Sequence, residues 1–207
     1  HPKTYEFIRK VNDEFGLNLV CLRGDFNQPL GKGHSYKIVS INDICSDLKP
    51  YKEMLDKYGT PTVASGWCTS RMKEETHDKY CNDKYGKGNY QTWIGIRADE
   101  PRRLGGIGKK ETLRYMAEIT DAEKQDILNY WSKMPFDLGI DEWLGNCVFC
   151  FKKSNLKLAA AQRDEPKLYM QWLDMVEAAP DRNKKNGRNS MHMYRKQKTL
   201  PELLFQT

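Results

Sequence analysis

The feature that most constrains this chain is the pair Cys147 and Cys150 in "GNCVFCFKKS". A turn of this spacing aims two sulfurs at one point, which suits a zinc knuckle, an iron–sulfur ligand pair or a redox dithiol. A zinc ion or a cubane cluster needs about four ligands in all. A fold that uses this pair for a metal must therefore bring further ligands to it from elsewhere in the sequence. The alternative reading leaves the pair as a structural zinc site or as unliganded thiols.

The chain holds six cysteines among 207 residues. No apolar stretch approaches the ~18 residues of a membrane span, and the start, His1-Pro2-Lys3, lacks a signal-peptide core. The expected location is the cytoplasm, where thiols stay reduced and cysteine spacing speaks of metals or catalysis rather than disulfides. A hydrophobic share of 39% with 11% aromatics and 30% charged residues predicts an ordered, soluble globule with one sizeable core. The absent initiator Met and a start in mid-helix predict a fragment that has lost its front.

Residues 3 to 15 place Tyr5, Ile8, Val11 and Phe15 at helical spacing, with Gly16 as a C-terminal cap. The apolar run Leu17 to Leu22 then reads as a buried strand, and the Gly-rich stretch Asp25 to Ser40 as a loop or lid. Helices are predicted over 48–58 and from Trp67 to about Tyr80, followed by a second buried strand, Thr92 to Ile96. Thr120 with Glu123 forms a capping box for a helix that stops at Pro135, and Pro166 opens a helix with Leu168, Trp172, Leu173 and Val176 inward. The organisation expected is a domain over 1–180 and a basic C-terminal tail over 181–207, the tail carrying Arg182, Lys184, Lys185, Arg188, Arg195, Lys196 and Lys198. Such a tail reads as a solvated segment, with a flap over a phosphate-bearing ligand or a nucleic-acid contact as the alternatives.

Cys68 and Cys81 are the candidates to complete a metal site. Cys68, in "SGWCTSRMK", precedes a helix, and a helix N-terminus near Arg71 and Lys73 lowers a thiol pKa toward the thiolate that a metal needs. Cys81 sits at the far end of that helix, about 20 Å on if the helix is unbroken. It joins the site only if the helix breaks, and a three-cysteine cluster remains open. Cys21 and Cys45 have no partner at ligand spacing and read as ordinary thiols.

"GIRADEPRR" sets Arg97 at a strand end and Arg102 and Arg103 beyond a Pro-directed turn. Several guanidinium forks there suit one phosphate or sulfate, and strand ends are where open α/β sheets collect ligands. Asp99 and Glu100 either orient these forks or make the turn an ordinary solvated one. The formal net charge of +6 is a mild excess that suits anionic ligands without requiring them.

"HPKTYEFIRKV", "WCTSRMK" and "WIGIRADEPRR", with "GNCVFCFKKS", together resemble the phosphoadenosine phosphosulfate (PAPS) reductase family, within the PP-loop group of adenine-nucleotide folds. The last motif is similar to the "GNCxxCFxKS" element of the phage and bacterial branch. The resemblance implies an α/β fold: a twisted, mainly parallel sheet flanked by helices, adenine nucleotide alpha-hydrolase-like, incomplete at its N-terminus and helical toward its C-terminus. It further implies a substrate site of Arg97, Arg102, Arg103, Arg71 and Lys73. Cys68, Cys147 and Cys150, with Cys81 as the open fourth position, would hold a 4Fe-4S cluster, with zinc as the alternative. The implied partners are an adenine nucleotide or sulfonucleotide and a reductant protein, with no membrane.

The departures from that family are large. No Ser-Gly-Gly-x-Asp-Ser phosphate loop is present, and no cysteine follows Cys150 to act as the reductase nucleophile. The functions expected are sulfonucleotide reduction or cluster-assisted sulfur transfer. The alternatives are a nucleic-acid-modifying or host-interaction protein of the same fold, and a zinc-stabilised binding module without catalysis.

Overall fold

A computed structural model describes residues 1–108, 110–182 and 189–205. The chain divides into two compact units, the first made of His1–His77 and Gly139–Thr207, the second of Asp78–Leu138. Both mix helices with small sheets, so the fold is α/β in the coarse sense. Among the described residues the sheets are two two-stranded pairs, one antiparallel and one parallel, in place of the mainly parallel sheet expected.

The first unit opens with α1 (Pro2–Phe15), which ends where Gly16 adopts φ 57 and its N–H caps the Asn12 carbonyl. The residue after the last periodic position needs the left-handed region, and glycine enters it without a Cβ penalty. Strand β1 (Cys21–Asp25) pairs antiparallel with β2 (Ser35–Val39), from Cys21 opposite Val39 to Asp25 opposite Ser35. This corrects two expectations. The apolar run from Leu17 is not a buried strand: Leu17, Leu19 and Val20 are exposed ahead of β1. The supposed loop, in turn, contains β2. A two-stranded ribbon buries at most one face, so apolar content alone overstated its burial.

The core of this unit gathers α2 (Lys49–Tyr58), α5 (Asn155–Asp164), α6 (Pro166–Glu177), α7 (Leu200–Leu204) and the segment around the cysteine pair. Met54, Leu55, Phe149, Phe151, Leu158, Trp172 and Val176 are among its buried residues. Burying a side chain of this size stabilises by about 1.5–3 kcal/mol, so Phe149 and Phe151 anchor the cysteine loop through its own sequence. The segment read as a basic tail also enters this core. Met193, Tyr194, Leu200 and Leu203 are buried, so 189–205 is no solvated tail. Lys184, Lys185 and Arg188 lie outside the described residues.

In the second unit, β3 (Thr92–Ile94) pairs parallel with β4 (Leu113–Tyr115). A parallel pair needs a long crossover, and this one carries the arginine turn directly after β3. Helix α4 (Lys124–Trp131) starts later than the sequence suggested. Its capping box joins Glu123 and Asp126 rather than Thr120 and Glu123. No helix among the described residues is long and apolar enough to cross a membrane.

Candidate functional site

Cys68, Cys147 and Cys150 all belong to the first unit, and the thiols of Cys68 and Cys147 are both shifted by their surroundings. Burial pushes the Cys68 thiol up and a charge on Cys150 pushes it further, while the N–H of Thr69 and the Lys152 ammonium oppose this. Burial likewise raises Cys147, followed by Cys150, with Lys73 and Lys153 pulling it down and Cys68 adding to the rise. Cys147 keeps solvent-accessible surface although protein crowds its sulfur. Tyr51, buried on the same core, is raised well above its ordinary range by burial and then by Cys68, Cys147, Tyr194 and Cys150.

The local folding explains why the segments meet. Cys68 begins a helical run in which the π-helical segment Ser70–Glu74 leads into α3 (Glu75–Tyr85), and Trp67, Cys68 and Met72 pack against the core. Short π-helical insertions often occur at functional sites because they re-aim side chains. Opposite, the Cys147–Cys150 turn closes with the Cys150 N–H on the Cys147 carbonyl at 3.2 Å, and the Lys153 N–H on the Cys150 carbonyl at 2.9 Å. Asn146, with φ 56, supplies the left-handed residue that starts it. Side chains hold the turn's carbonyls. The Tyr194 hydroxyl donates to Phe149 O at 2.8 Å and receives the Trp172 Nε1 proton at 3.1 Å. Lys153 Nζ donates to Val148 O at 3.0 Å and to Trp143 O, and Arg195 donates to the carbonyls of Lys152 and Lys153. Gly66 lets this segment approach, since a Cβ there would lie 3.0 Å from Lys152 Cε.

Lys73 and Lys153 thus oppose the rise of the Cys147 thiol, and Lys152 that of Cys68. Arg71 behaves differently, donating twice to Glu75 at 2.7 Å while stacking over Tyr58. All six cysteines are free thiols. Among the described residues, no group of three or more His, Cys, Asp or Glu side chains stands where it could hold a metal ion. A single tetrahedral zinc would draw its sulfurs to about 3.8 Å from one another, given Zn–S bonds of about 2.3 Å. A cluster spreads its ligands over several irons and needs a wider set.

Cys81 lies in the second unit, buried, with its thiol raised by burial and by Asp78 and lowered by Lys84. The same unit holds the arginine turn, whose charges answer one another. Arg97 meets Asp99 at 2.7 Å, and Arg103 meets Glu100 at 2.6 Å. Arg102 is exposed on the short 3₁₀ turn Pro101–Arg103.

Tyr51, Lys152, Lys153 and Tyr194 were not singled out from the sequence. Two lysines directly after a cysteine pair are a usable signal, because a turn sends consecutive side chains to opposite sides. Tyr51 and Tyr194 carry no such signal.

The chain matches no established family profile and no solved structure. Among curated proteins, the "Uncharacterized nin region protein ORF290" of Escherichia phage lambda is 43% identical over 203 residues, covering 97% of this chain and 69% of that relative. The chain belongs to the ORF290 family. Because the match covers nearly all of this chain, both units described above fall within ORF290-type sequence.

Proposed function

We propose that the chain is a PAPS reductase-type protein that acts on an adenine nucleotide or sulfonucleotide, with Cys68, Cys147 and Cys150 holding an iron–sulfur cluster. One observation carries the reading. Cys68 packs on the same core as Val148, Phe149 and Phe151 of the distant cysteine turn, and a Cβ on the neighbouring Gly66 would lie 3.0 Å from Lys152 Cε. Unliganded structural thiols have no use for surrounding ammonium groups, whereas thiolates bound to a metal carry charge that must be offset.

A thiolate-bound cluster supplies single electrons or a sulfur-binding iron. The residues of this chain provide the rest. Cys68, Cys147 and Cys150 give up their protons on binding, so loading releases acid and is favoured by higher pH. Tyr51 and the aromatic wall behind it limit water at the thiols. In the second unit, Arg102 and, once released from Asp99 and Glu100, Arg97 and Arg103 are groups suited to sulfate or phosphate oxygens; Lys73 is such a group in the first. The finer fold, a twisted and mainly parallel nucleotide-binding sheet, is part of the same proposal, and the parallel β3–β4 pair is compatible with it.

The test is anaerobic reconstitution with iron and sulfide, read by iron content, acid-labile sulfide and visible absorbance. The expected result is a brown protein whose colour disappears in Cys68→Ala, Cys147→Ala and Cys150→Ala and persists in Cys21→Ala and Cys45→Ala. Cys81→Ala decides the fourth position. A colourless protein that takes up one zinc per chain through the same thiols would overturn the reading.

A further inference from the structure

The first unit also holds an open cavity of about 270 Å³, set between the β1–β2 loop, one face of α2 and Arg182, and lined by no cysteine. Its loop wall is fixed in place. Phe26 and His34, at the two ends of the loop, are buried and stack with ring centroids 5.0 Å apart. Between them, the ammonium of Lys57 on α2 donates to Gln28 O at 2.5 Å and to Gly33 O, and the lysine itself is buried. Lysine is rarely buried, because its ammonium loses hydration that only good partners replace. A loop that merely joins two strands of an exposed ribbon has no need of such an anchor. A loop that serves as the rigid wall of a binding cavity does.

The lining offers both signs of charge beside an apolar surface. Helix α2 buries Tyr51, Met54 and Leu55 in the core and turns Glu53 and Asp56 toward the cavity. Each carboxylate is engaged through one oxygen, Glu53 Oε2 by Arg23 at 2.9 Å and Asp56 Oδ2 by Lys52 at 2.7 Å. Their second oxygens accept no other hydrogen bond among the described residues. Arg182 donates through Nη2 to Asp56 O at 3.1 Å, and the rest of its guanidinium fork meets no acceptor among the described residues. Phe26 and Leu30 supply the apolar part.

We infer that this cavity binds a small zwitterion of the amino-acid class, with its carboxylate on the Arg182 fork, its ammonium at the open oxygens of Glu53 and Asp56, and an apolar side chain against Phe26 and Leu30. Charge complementarity selects this class. Phosphate or sulfate would meet Arg182 but be repelled by two carboxylates, and a simple cation would meet the carboxylates but be repelled by Arg182 and Lys57. A molecule with one group of each sign and no net charge satisfies both sides. The arginine fork suits a carboxylate in particular. The volume lies at the small end of ligand cavities, which run from about 300 to 1,000 Å³, and suits a molecule of amino-acid size.

The experiment titrates the full chain calorimetrically with three probes that share one ring: L-phenylalanine, hydrocinnamate, which lacks the ammonium, and phenethylamine, which lacks the carboxylate. The proteins are the wild type, Arg182→Gln, and Glu53→Gln combined with Asp56→Asn, with circular dichroism as the check on folding. The substituted groups are polar side chains outside the core, so the fold is expected to persist. L-Phenylalanine is expected to bind the wild type with Kd of about 1 mM or tighter, as befits a ligand of its size, and each single-charge analogue about tenfold more weakly. Arg182→Gln should erase its advantage over phenethylamine, and the double acid variant its advantage over hydrocinnamate. Absence of binding by L-phenylalanine overturns the inference. So does hydrocinnamate or phenethylamine binding as tightly as L-phenylalanine, or an L-phenylalanine affinity that Arg182→Gln leaves unchanged. None of these readouts involves the cysteines, so the inference stands or falls independently of the cluster.

Discussion

The cysteine recess and the arginine turn are both built from charged and reactive side chains, and they are organised in opposite ways. In the recess, groups distant in sequence converge, and the cations around the thiols come from two segments, Lys73 from one and Lys152 and Lys153 from the other. In the arginine turn, the arginines pair locally. Arg97 with Asp99 and Arg103 with Glu100 lie within three residues of one another. A local pair forms in almost any compact chain, and solvent leaves it worth only about 0–1 kcal/mol. A convergent arrangement has to be maintained by the core. The difference teaches that residue type finds candidate sites, while dependence on tertiary packing separates a built site from a charged surface.

The sharpest way to break this comparison is to remove the packing under the recess. Phe149→Ala deletes a fully buried ring inside the cysteine turn, and a change of that kind costs about 3–5 kcal/mol. Urea unfolding should show that loss, together with loss of reconstituted iron. Iron binding that survives unchanged would mean that the turn does not need its core. Tyr194→Phe is the next step down. It leaves Phe149 O and Trp172 Nε1 without their shared hydroxyl, at about 1–3 kcal/mol, with the shape of the core preserved.

The arginine turn should respond in the reverse sense. Arg103 and then the Arg97 backbone N–H and charge hold the Glu100 carboxyl below its ordinary range, and Arg97 does the same for Asp99. A carboxylate whose folded pKa is depressed contributes stability above its unfolded value, about 4, and loses it as pH falls through the folded pKa. Acid titration of the chain should therefore show a small loss below pH ~4 that added salt reduces. Asp99→Asn with Glu100→Gln should abolish that component, leave stability at neutral pH nearly unchanged because the pairs are exposed, and strengthen sulfate binding measured by calorimetry. Sulfate affinity that does not rise would remove the turn from the candidate substrate site.

These contrasts also explain what the sequence could reveal. Helix α1 and its Gly16 cap, the helix opened by Pro166 and the cysteine turn all announce themselves, because each depends on residues within a few positions. The apolar run at Leu17–Val20 misled because burial depends on what covers a segment, and Leu17, Leu19 and Val20 stay exposed ahead of β1. The basic stretch misled because net charge hides Met193, Tyr194, Leu200 and Leu203, which are the residues that pack. Cys68 is a candidate partner for Cys147 and Cys150 because a metal site needs more ligands and a helix starts beside it near Arg71 and Lys73, but no local rule links residues so distant. The fixed lysines were hidden for the same reason: their role is written in the carbonyls they meet.

The smallest expected effect tests how finely the recess is fitted. A Cβ on Gly66 would meet Lys152 Cε at 3.0 Å and Phe151 Cε2 at 3.5 Å. The first contact is too close, yet it involves the far end of a flexible, exposed side chain, while the second is ordinary van der Waals contact. Gly66→Ala should therefore turn Lys152 aside, with a change in stability of less than about 1 kcal/mol. Its readout is structural: circular dichroism and the urea midpoint should stay close to those of the wild type. A large loss of stability instead would mean that Phe151 cannot yield, and that the approach of the cysteine turn to the Cys68 segment is set by ring packing and not by the lysine.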